Sequence, residues 1–390
     1  MAVKDFDYFE DHKPFMDESL DDPIANSLFF LRGGRWRDMR ATLSPAFTGS
    51  KMRQMFELVL DCSADMSAFL KQKALKGDAI NVEVKELYSK HTTDIIASTA
   101  FGIKTNSLEN EKNDFYKNSK ILINFGNFKS ILRFLILRTI PAVGRYFNMQ
   151  FVDSEVGAFF KSIILDTMDV RSKQNIFRPD MINLLMQIKK GNYQQITDEA
   201  EEKHTDGFAT VEESQIGKNK IKREWSDNEI VAQCFLFFLA GFDTTSSFLS
   251  FASYELAINN DIQDKLYAEI FETNSQLSGK SLSYDVLQKM KYMDMFVSEV
   301  LRHWPPAALT DRMCVKDYSY DDGELKFTVK KGDAIWIPIY PIHHDPHYFP
   351  DPDKFDPERF NDNNKNNIIS GTYNPFGVGP RNCIGKYIIT

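Results

Sequence analysis

The stretch Phe376-Gly-Val-Gly-Pro-Arg-Asn-Cys-Ile-Gly385, near the end of a 390-residue chain, decides how this sequence is interpreted. Its three glycines permit backbone conformations and close approaches that a Cβ atom would prevent, as a flat, bulky cofactor lying against the backbone requires. Arg381 supplies a fixed cation suited to a carboxylate, and Phe376 can shield a sulfur atom from water. Backbone N–H groups of such a loop can donate to a thiolate at Cys383. The alternative is a glycine turn that holds an ordinary buried cysteine.

Composition restricts the class of protein around this stretch. With 43% hydrophobic and 26% charged residues, the chain is globular rather than disordered. A net charge of -8 and the lack of a basic stripe argue against nucleic acid as a partner. The 32 phenylalanines could fill a large core or line an apolar pocket. The cysteines are far apart and show neither CxxC nor zinc spacing, which favours a reducing compartment; they are Cys62, Cys234, Cys314 and Cys383.

Apolar periodicity predicts helices over most of the chain and few strands. Helical spacing is found in Trp36–Arg40, Lys51–Lys71 and Asn81–Phe101, and residues 113–147 predict two packed helices, or a helix on a membrane surface, with a break at Pro141. Strand-like runs occur at Lys326–Val329 and Ala334–Ile337. The fold class expected is therefore mainly α with small β elements. Residues 189–224 are charged and predict an exposed linker between two helices.

The longest apolar run, Ile230 to Tyr254, predicts a buried helix that carries polar groups. Its length would allow a transmembrane span, but Asp243 in its middle argues against one, because charge at the centre of a bilayer is costly. The segment Ala240-Gly-Phe-Asp-Thr-Thr245 concentrates these polar groups. Gly241 removes a side chain, and Thr244 can donate back to a preceding carbonyl and loosen the turn. A groove opened this way could seat dioxygen; the alternative is a kinked core helix.

Two further motifs place charged or polar side chains on one helix face. Glu299 and Arg302 are spaced i, i+3, and Trp36 and Arg40 are spaced i, i+4. Each pair alone is a weak signal, because such spacings occur often by chance. Trp36 and Arg40 can both donate hydrogen bonds to a buried carboxylate.

Taken in order, WxxxR, AGxDTT, ExxR, PERF and FGxGxRxCxG resemble the signature motifs of the cytochromes P450. The resemblance covers nearly the whole chain and matches every defined position of the last motif. It implies the cytochrome P450 fold in a single haem domain over residues 1–390, with haem b (iron-protoporphyrin IX) as cofactor and Cys383 as its axial thiolate. A thiolate on haem iron favours cleavage of the O–O bond.

The resemblance also assigns roles to individual residues. Trp36 and Arg40 are expected to contact a haem propionate, and Arg312 matches another propionate contact. Asp243 and Thr244 are expected to activate oxygen and relay protons.

In the same family, the arginine of Pro357-Glu-Arg-Phe360 completes a network with the ExxR pair. Glu299, Arg302 and Arg359 are therefore expected to hold the loop that precedes Cys383. We call these three residues the Glu-Arg-Arg network. The histidines near Asp345 suggest a metal site, but His343-His-Asp-Pro346 fits the family's HxDP meander and is assigned to structure.

The implied activity is insertion of one oxygen atom from O2 into an apolar small-molecule substrate, with electrons from NADPH through NADPH-cytochrome P450 reductase. Leu43-Ser-Pro-Ala-Phe-Thr48 looks most like insect microsomal enzymes that oxidise xenobiotics. That type resides on the cytoplasmic face of the endoplasmic reticulum membrane in its full-length form. Its anchor helix and its C-terminal segment are not in this sequence, so the chain is expected to be truncated at both ends.

Two other functions stay open at this stage. One is a haem-thiolate enzyme that rearranges peroxides without a reductase, which the intact Asp243-Thr244 pair disfavours. The other is a truncated, catalytically impaired haem-binding fragment.

Overall fold

The structure, a computed structural model, describes residues 3–14, 22–75, 81–110, 112–123, 128–147, 149–189 and 225–386. The predicted linker 189–224 lies outside these residues except for Lys189. The described chain divides into two compact units. The amino-terminal unit comprises residues 14–189 and 225–246, and the carboxy-terminal unit comprises residues 3–13 and 247–386. The single haem domain expected over residues 1–390 stays a prediction.

The amino-terminal unit is helical. Its helices are α1 (Gly33–Leu43), α2 (Gly49–Ala74), α3 (Val84–Ile96), α4 (Asp114–Ile123), α5 (Phe128–Thr139), α6 (Pro141–Tyr146), α7 (Ser154–Gln174), α8 (Met181–Lys189) and α9 (Asp227–Ile258), which ends in the other unit. These bounds confirm the helices predicted from apolar spacing. The break expected at Pro141 separates α5 from α6, since proline lacks the N–H that would continue α5.

A left-handed glycine follows α3. The helix continues as a π-helical turn, Ala97–Phe101, and the chain leaves it at Gly102 with φ of +70°. A Cβ atom at Gly102 would lie 1.9 Å from Nη2 of Arg171, so both the backbone angle and the available space require glycine. Arg171 pairs there with Asp180, at 2.6 Å and with both side chains buried.

Phenylalanines fill the core of the amino-terminal unit. Ring centroids are 5.1 Å apart for Phe115 and Phe160, 5.1 Å for Phe160 and Phe238, and 5.6 Å for Phe238 and Phe242. Phe101 packs edge-on against Phe115 at 5.3 Å. Such offset and edge-to-face contacts add to the hydrophobic burial. Of the two uses expected for the abundant phenylalanine, core packing is the one these residues show.

Helix α9 is the one helix in the described part of the chain that is long and apolar enough to cross a membrane. Its first turns pack inside the protein, where Ile230, Cys234 and Phe238 are fully buried. Buried Gln233 accepts from the N–H of Leu28 at 2.9 Å and donates to a backbone carbonyl. The buried helix predicted for this run is therefore confirmed for its first turns, whereas Phe251 and Tyr254 near its end are 38% and 52% exposed.

Helices α5 and α6 pack against each other but leave apolar side chains in solvent. Leu137 is buried, whereas Ile131, Leu132 and Leu135 are nearly half exposed and Phe147 is 67% exposed. Residues 113–147 therefore hold three helices, α4, α5 and α6, where two packed helices were predicted, and the predicted packing is found between α5 and α6. The exposed apolar residues also keep the membrane-surface interpretation open.

The carboxy-terminal unit combines short helices with two small sheets. Its elements after α9 are α10 (Asn260–Leu277), α11 (Tyr284–Leu287), α12 (Lys291–His303), β1 (Thr310–Met313), β2 (Tyr318–Asp321), β3 (Lys326–Val329), β4 (Ala334–Ile337) and α13 (Ile339–His343). Both sheets are antiparallel: β1 pairs with β4, and β2 pairs with β3. The strands predicted at β3 and β4 are confirmed to the residue. The sequence did not reveal β1 and β2, because they are short and polar.

The core of this unit lies between α12 and the loop that carries Cys383. Phe296, Val300 and Leu301 of α12 form a buried cluster with Phe376, and Cys383 packs against it. The apolar face of α12 thereby positions the loop from one side.

Candidate active site

The loop from Phe376 to Cys383 is closed by its own backbone. The N–H of Cys383 donates to the carbonyl of Phe376 at 2.8 Å, and the N–H of Asn382 donates to the carbonyl of Gly379 at 3.0 Å. Gly377 and Gly379 both have φ of +73°, a region that side chains disfavour. The two glycines thus permit a tight turn that brings Cys383 back beside Phe376, where the loop begins.

Cys383 sits at the end of this loop with its side chain partly exposed, whereas Cys234 and Cys314 are buried. Phe376 is buried and lies in the apolar cluster that Cys383 contacts, in the place expected for a residue that shields the sulfur from water. A Cβ atom at Gly385 would meet nothing within 4 Å, so the chain leaves open space there. A partly exposed cysteine, with open space at the glycine two residues later, fits a flat cofactor against this loop.

Two buried guanidinium groups accompany the loop. Arg381 donates from Nε to the carbonyl of Glu10 at 2.6 Å and pairs through Nη2 with Oδ1 of Asp11 at 3.1 Å. The pKa of Arg381 is lowered to about 9, chiefly by burial and also by the nearby Arg312, while Asp11 opposes the shift. Asp11 was not identified from the sequence, since it lies 370 positions away from Arg381 in a segment without a motif.

Arg312, on β1, is 2% exposed. Its Nη1 donates to the carbonyl of Asp311 at 2.7 Å, and its Nη2 lies 3.5 Å from the carbonyl oxygen of Val378 in the cysteine loop. Its Nε is buried and has no hydrogen-bond partner among the described residues, and burial lowers the pKa of Arg312. A buried cation with an unused donor fits an anionic group bound beside the loop, as the propionates of haem would be.

The three residues of the Glu-Arg-Arg network lie together, with Glu299 and Arg302 buried and the Arg359 side chain 13% exposed. Glu299 and Arg302 are both inaccessible to solvent and are joined by two hydrogen bonds of 2.7 and 2.9 Å. The Nε of Arg359 lies 3.5 Å from Oε1 of Glu299, too far for a well-formed hydrogen bond. Burial raises the pKa of Glu299, and the contacts with Arg302 act in the opposite direction.

The network holds the meander that precedes the cysteine loop. Glu299 accepts from the N–H of Asp356 at 2.8 Å, and Arg302 donates to the carbonyl of Pro352 at 2.9 Å. Arg359 donates to the carbonyls of Pro350 and Asp351. Among the described hydrogen bonds, the three side chains therefore reach residues 303, 343 and 350–356, and they reach the loop at Cys383 only through intermediates.

Thr244 lies on α9 in the amino-terminal unit and makes the predicted back-bond, because its hydroxyl donates to the carbonyl of Ala240. The role expected for Gly241 was wrong in part. A Cβ atom there would lie 3.1 Å from Cδ1 of Ile96, so the missing side chain lets α3 pack closely on α9. In this contact, Gly241 does not open a groove.

Asp243, one residue earlier, is held by a lysine that no motif revealed. Nζ of Lys85 lies 2.8 Å from Oδ1 of Asp243 and 2.7 Å from Oγ of Ser246. The Asp243 side chain is 57% exposed, so it escapes much of the burial cost expected for a charge within an apolar helix. The ion pair fastens Asp243 to the start of α3.

Trp36 and Arg40 lie one turn apart on α1, and both are buried. The amino-terminal unit therefore presents Trp36 and Arg40 on one helix and Asp243 and Thr244 on another. The carboxy-terminal unit brings the remaining predicted site residues together around the loop; they are Arg312, Phe376, Arg381 and Cys383. The roles expected for all eight stay predictions.

The histidines near Asp345 make hydrogen bonds within the protein. Among the described residues, no group of three or more His, Cys, Asp or Glu side chains could hold a metal ion. His343 is instead fully buried and hydrogen-bonded within the protein, which agrees with its assignment to structure.

Comparison with known proteins identifies the family. The family model for cytochrome P450 matches residues 2–388. The chain is similar to cytochrome P450 9e2 of Blattella germanica, with 46% identity over 99% of this chain and 72% of that protein. It is also similar to probable cytochrome P450 9f2 of Drosophila melanogaster (42% identity; 99% and 72% covered) and to cytochrome P450 6k1 of Blattella germanica (35%; 99% and 70%).

These matches extend over both units and agree with the order of the motifs, from Trp36 on α1 to Cys383 in the closed loop. The chain therefore belongs to the cytochrome P450 family of haem-dependent monooxygenases.

Proposed function

We propose that this chain is a haem-thiolate monooxygenase that uses NADPH, through a flavin reductase, to place one atom of O2 in an apolar small molecule. The observation that carries the proposal is the loop from Phe376 to Cys383. It is closed by its own hydrogen bond, ends in a partly exposed cysteine, and has two buried guanidinium groups beside it.

The residues of each unit have distinct parts in binding haem. In the carboxy-terminal unit, Cys383 would ligate the iron as thiolate, and Arg312 and Arg381 would face the propionates. In the amino-terminal unit, Trp36 and Arg40 would contribute further donors. When bound, haem with a thiolate ligand supplies the chemistry that cleaves the O–O bond. Phe376 excludes water from the sulfur, which preserves its electron-donating character.

Proton supply is assigned to α9. The Thr244 hydroxyl donates to the carbonyl of Ala240, which leaves its oxygen lone pairs directed away from that carbonyl and able to accept from a water or a substrate. The Asp243 carboxylate can take a proton from solvent, because more than half of its side chain is exposed. Lys85 keeps it in one position through the 2.8 Å contact. A proton can thus pass from solvent to Asp243 and on toward Thr244.

The electron donor would dock near the side of the chain that carries the cysteine loop. Helix α12, whose core residues pack with that loop, begins with Lys291, and Lys265 lies nearby on α10, 5.8 Å from the ring of Tyr292. Both lysines are exposed and are paired with Asp362 and Glu358. Because an exposed ion pair contributes little energy, each lysine can exchange its carboxylate partner for an acidic group of a docking flavin reductase.

The proposed location is the endoplasmic reticulum membrane, on its cytoplasmic face. Ile131, Leu132 and Leu135 on α5, with Phe147 after α6, present apolar side chains to solvent. An apolar helix surface of this kind can lie in the interface of a bilayer. It would also give apolar substrates a short route from lipid to protein.

The test is the spectrum of the reduced, CO-bound chain expressed with haem. We expect the red-shifted Soret band of a thiolate ligand. Cys383→Ser should abolish it, and Cys62→Ser, a partly exposed cysteine outside the loop, should leave it unchanged. A band that survives Cys383→Ser would overturn the ligand assignment.

Turnover then separates the proposal from its alternatives. Product formation should require both NADPH and the reductase. Conversion of an organic hydroperoxide without either would favour the peroxide-rearranging enzyme. Absence of the thiolate band in the unaltered chain would favour the haem-binding fragment without catalysis.

A further inference from the structure

The Glu-Arg-Arg network does not contact the cysteine loop directly in the described structure. Any effect of the network on the position of Cys383 must therefore pass through other residues. Its side chains bond to the meander at residues 350–356. Two other bonds leave the network: Nη2 of Arg302 lies 3.0 Å from Nδ1 of the neighbouring His303, and its Nη1 donates to the carbonyl of His343 at 2.9 Å. His343 ends α13 and is fully buried.

The imidazole of His343 bridges α12 and the segment that enters the loop. Its Nδ1 lies 3.1 Å from the carbonyl oxygen of Arg302, and its Nε2 lies 2.9 Å from the backbone nitrogen of Asn374. An amide N–H can only donate and a carbonyl can only accept. Nε2 must therefore be the acceptor and Nδ1 must carry the proton. The surroundings specify the neutral ring in a single tautomer.

The bridge continues through backbone bonds to the cysteine. The carbonyl of Asn374 accepts from the N–H of Gly377 at 3.1 Å, and the carbonyl of Phe376 accepts from the N–H of Cys383 at 2.8 Å. Asn374, whose N–H the histidine binds, is thus the first hydrogen-bonded residue of the turn that ends at Cys383.

Ring packing keeps the imidazole in place for these bonds. Tyr373 stacks on it with centroids 5.5 Å apart and an interplanar angle of 21°, and Phe349 lies edge-on at 6.1 Å. The Tyr373 hydroxyl donates to the carbonyl of Ser298 on α12 at 3.0 Å. Packing alone would survive replacement of His343 by phenylalanine, whereas the bridge needs both nitrogens.

We propose that His343 is a positioning residue. Its two ring nitrogens connect the segment held by the Glu-Arg-Arg network to the Cys383 loop and thereby hold that loop in place. A role of His343 in the chemistry of the thiolate rests on the proposed function, because it requires that Cys383 is the iron ligand. The positioning of the loop itself does not depend on haem.

The experiment compares His343→Phe with His343→Gln in the full chain. Phenylalanine keeps the ring and loses both bonds, whereas the glutamine amide retains one donor and one acceptor at similar separation. His344→Phe is the matched control, because His344 is adjacent and bonds to Tyr340 rather than to Asn374. Amide hydrogen exchange is measured by mass spectrometry for peptides covering residues 371–386 and, as a reference, α2. The decay rate of the CO-bound thiolate band is measured on the haem-loaded protein.

We expect His343→Phe to speed exchange in residues 371–386 by roughly tenfold or more, because a buried N–H and a buried carbonyl lose their partners. Exchange in α2 should not change, and the thiolate band should decay faster by a similar factor. His343→Gln and His344→Phe should stay near the unaltered chain. Equal exchange at residues 371–386 in the Phe and Gln variants would overturn the inference, whatever the spectrum shows. A missing thiolate band in the unaltered chain would instead count against the proposed function.

Discussion

Replacing Glu299 by glutamine tests the charge balance of the Glu-Arg-Arg network. The carboxylate accepts two hydrogen bonds from Arg302 and one from the N–H of Asp356, with Arg359 3.5 Å away. Glutamine has nearly the same shape, but it leaves Arg302, which is inaccessible to solvent, without a counter-charge. Breaking a buried pair on one side costs about 3–5 kcal/mol. With a urea slope near 3 kcal/mol per M, the urea midpoint should fall by roughly 1 to 2 M.

Glu255→Gln is the matched control. Glu255 is also buried, but it accepts from neutral donors, Nε1 of Trp304 at 2.7 Å and Nδ2 of Asn259 at 3.0 Å. Losing the charge there should cost only about 1 kcal/mol, the scale of one hydrogen bond. Urea unfolding of both variants is followed by far-UV circular dichroism. If Glu299→Gln lowers the midpoint no more than Glu255→Gln does, the reasoning from an uncompensated guanidinium is refuted.

Three further changes test other contacts. Lys85→Met should release the Asp243 side chain from its ion pair and lower the product formed per NADPH consumed by roughly tenfold. The CO-bound spectrum should not change. An unchanged product yield would show that Lys85 has no part in the proton route. Asp180→Asn should lower the free energy of unfolding in urea by about 3–5 kcal/mol, because it leaves the buried Arg171 without its carboxylate partner. A decrease below about 1 kcal/mol, which is typical of exposed ion pairs, would contradict this. Burial lowers the pKa of His343 to about 4, so the unfolded chain binds more protons than the folded chain as the pH falls below 6.5. Relative to His343→Gln, the free energy of unfolding of the unaltered chain should therefore fall by up to about 3 kcal/mol between pH 6.5 and pH 4. Urea midpoints of the two proteins that change in parallel across that range would disprove this.

Local patterns predicted the helical fold well. The start of α9 at Asp227 and the bounds of β3 and β4 followed from apolar periodicity and turn residues, because these signals lie within a few residues of the element they specify. Strand β1 gave no such signal. Its sequence, Thr310–Met313, is polar, and pairing with β4 rather than local propensity makes it a strand.

The candidate site was predictable where a motif places its residues close together in the chain. Contacts between distant segments were not. Lys85 lies 158 positions from Asp243, and Asp11 lies 370 positions from Arg381. A lysine in the first turn of a helix or an aspartate near an end of the chain gives no local sign of its partner, since packing of whole elements brings the two together. His343 was recognised as structural, but its bonds on both ring nitrogens required the structure.

The two guanidinium groups beside the cysteine loop should respond in opposite ways to replacement by methionine. Arg381 neutralises buried Asp11, so Arg381→Met leaves an uncompensated carboxylate and should lower the thermal midpoint of the haem-free chain. Arg312 donates mainly to backbone carbonyls, and its Nε has no hydrogen-bond partner in the part of the chain that the structure describes. Arg312→Met therefore removes a buried cation that the chain itself satisfies incompletely, and the haem-free midpoint should hold or rise. The same variant should bind haem at least tenfold more weakly in a spectral titration, because a charged hydrogen bond to a propionate is worth about 1.5–3 kcal/mol. A haem-free chain destabilised as much by Arg312→Met as by Arg381→Met would show that Arg312 serves the fold and not the cofactor.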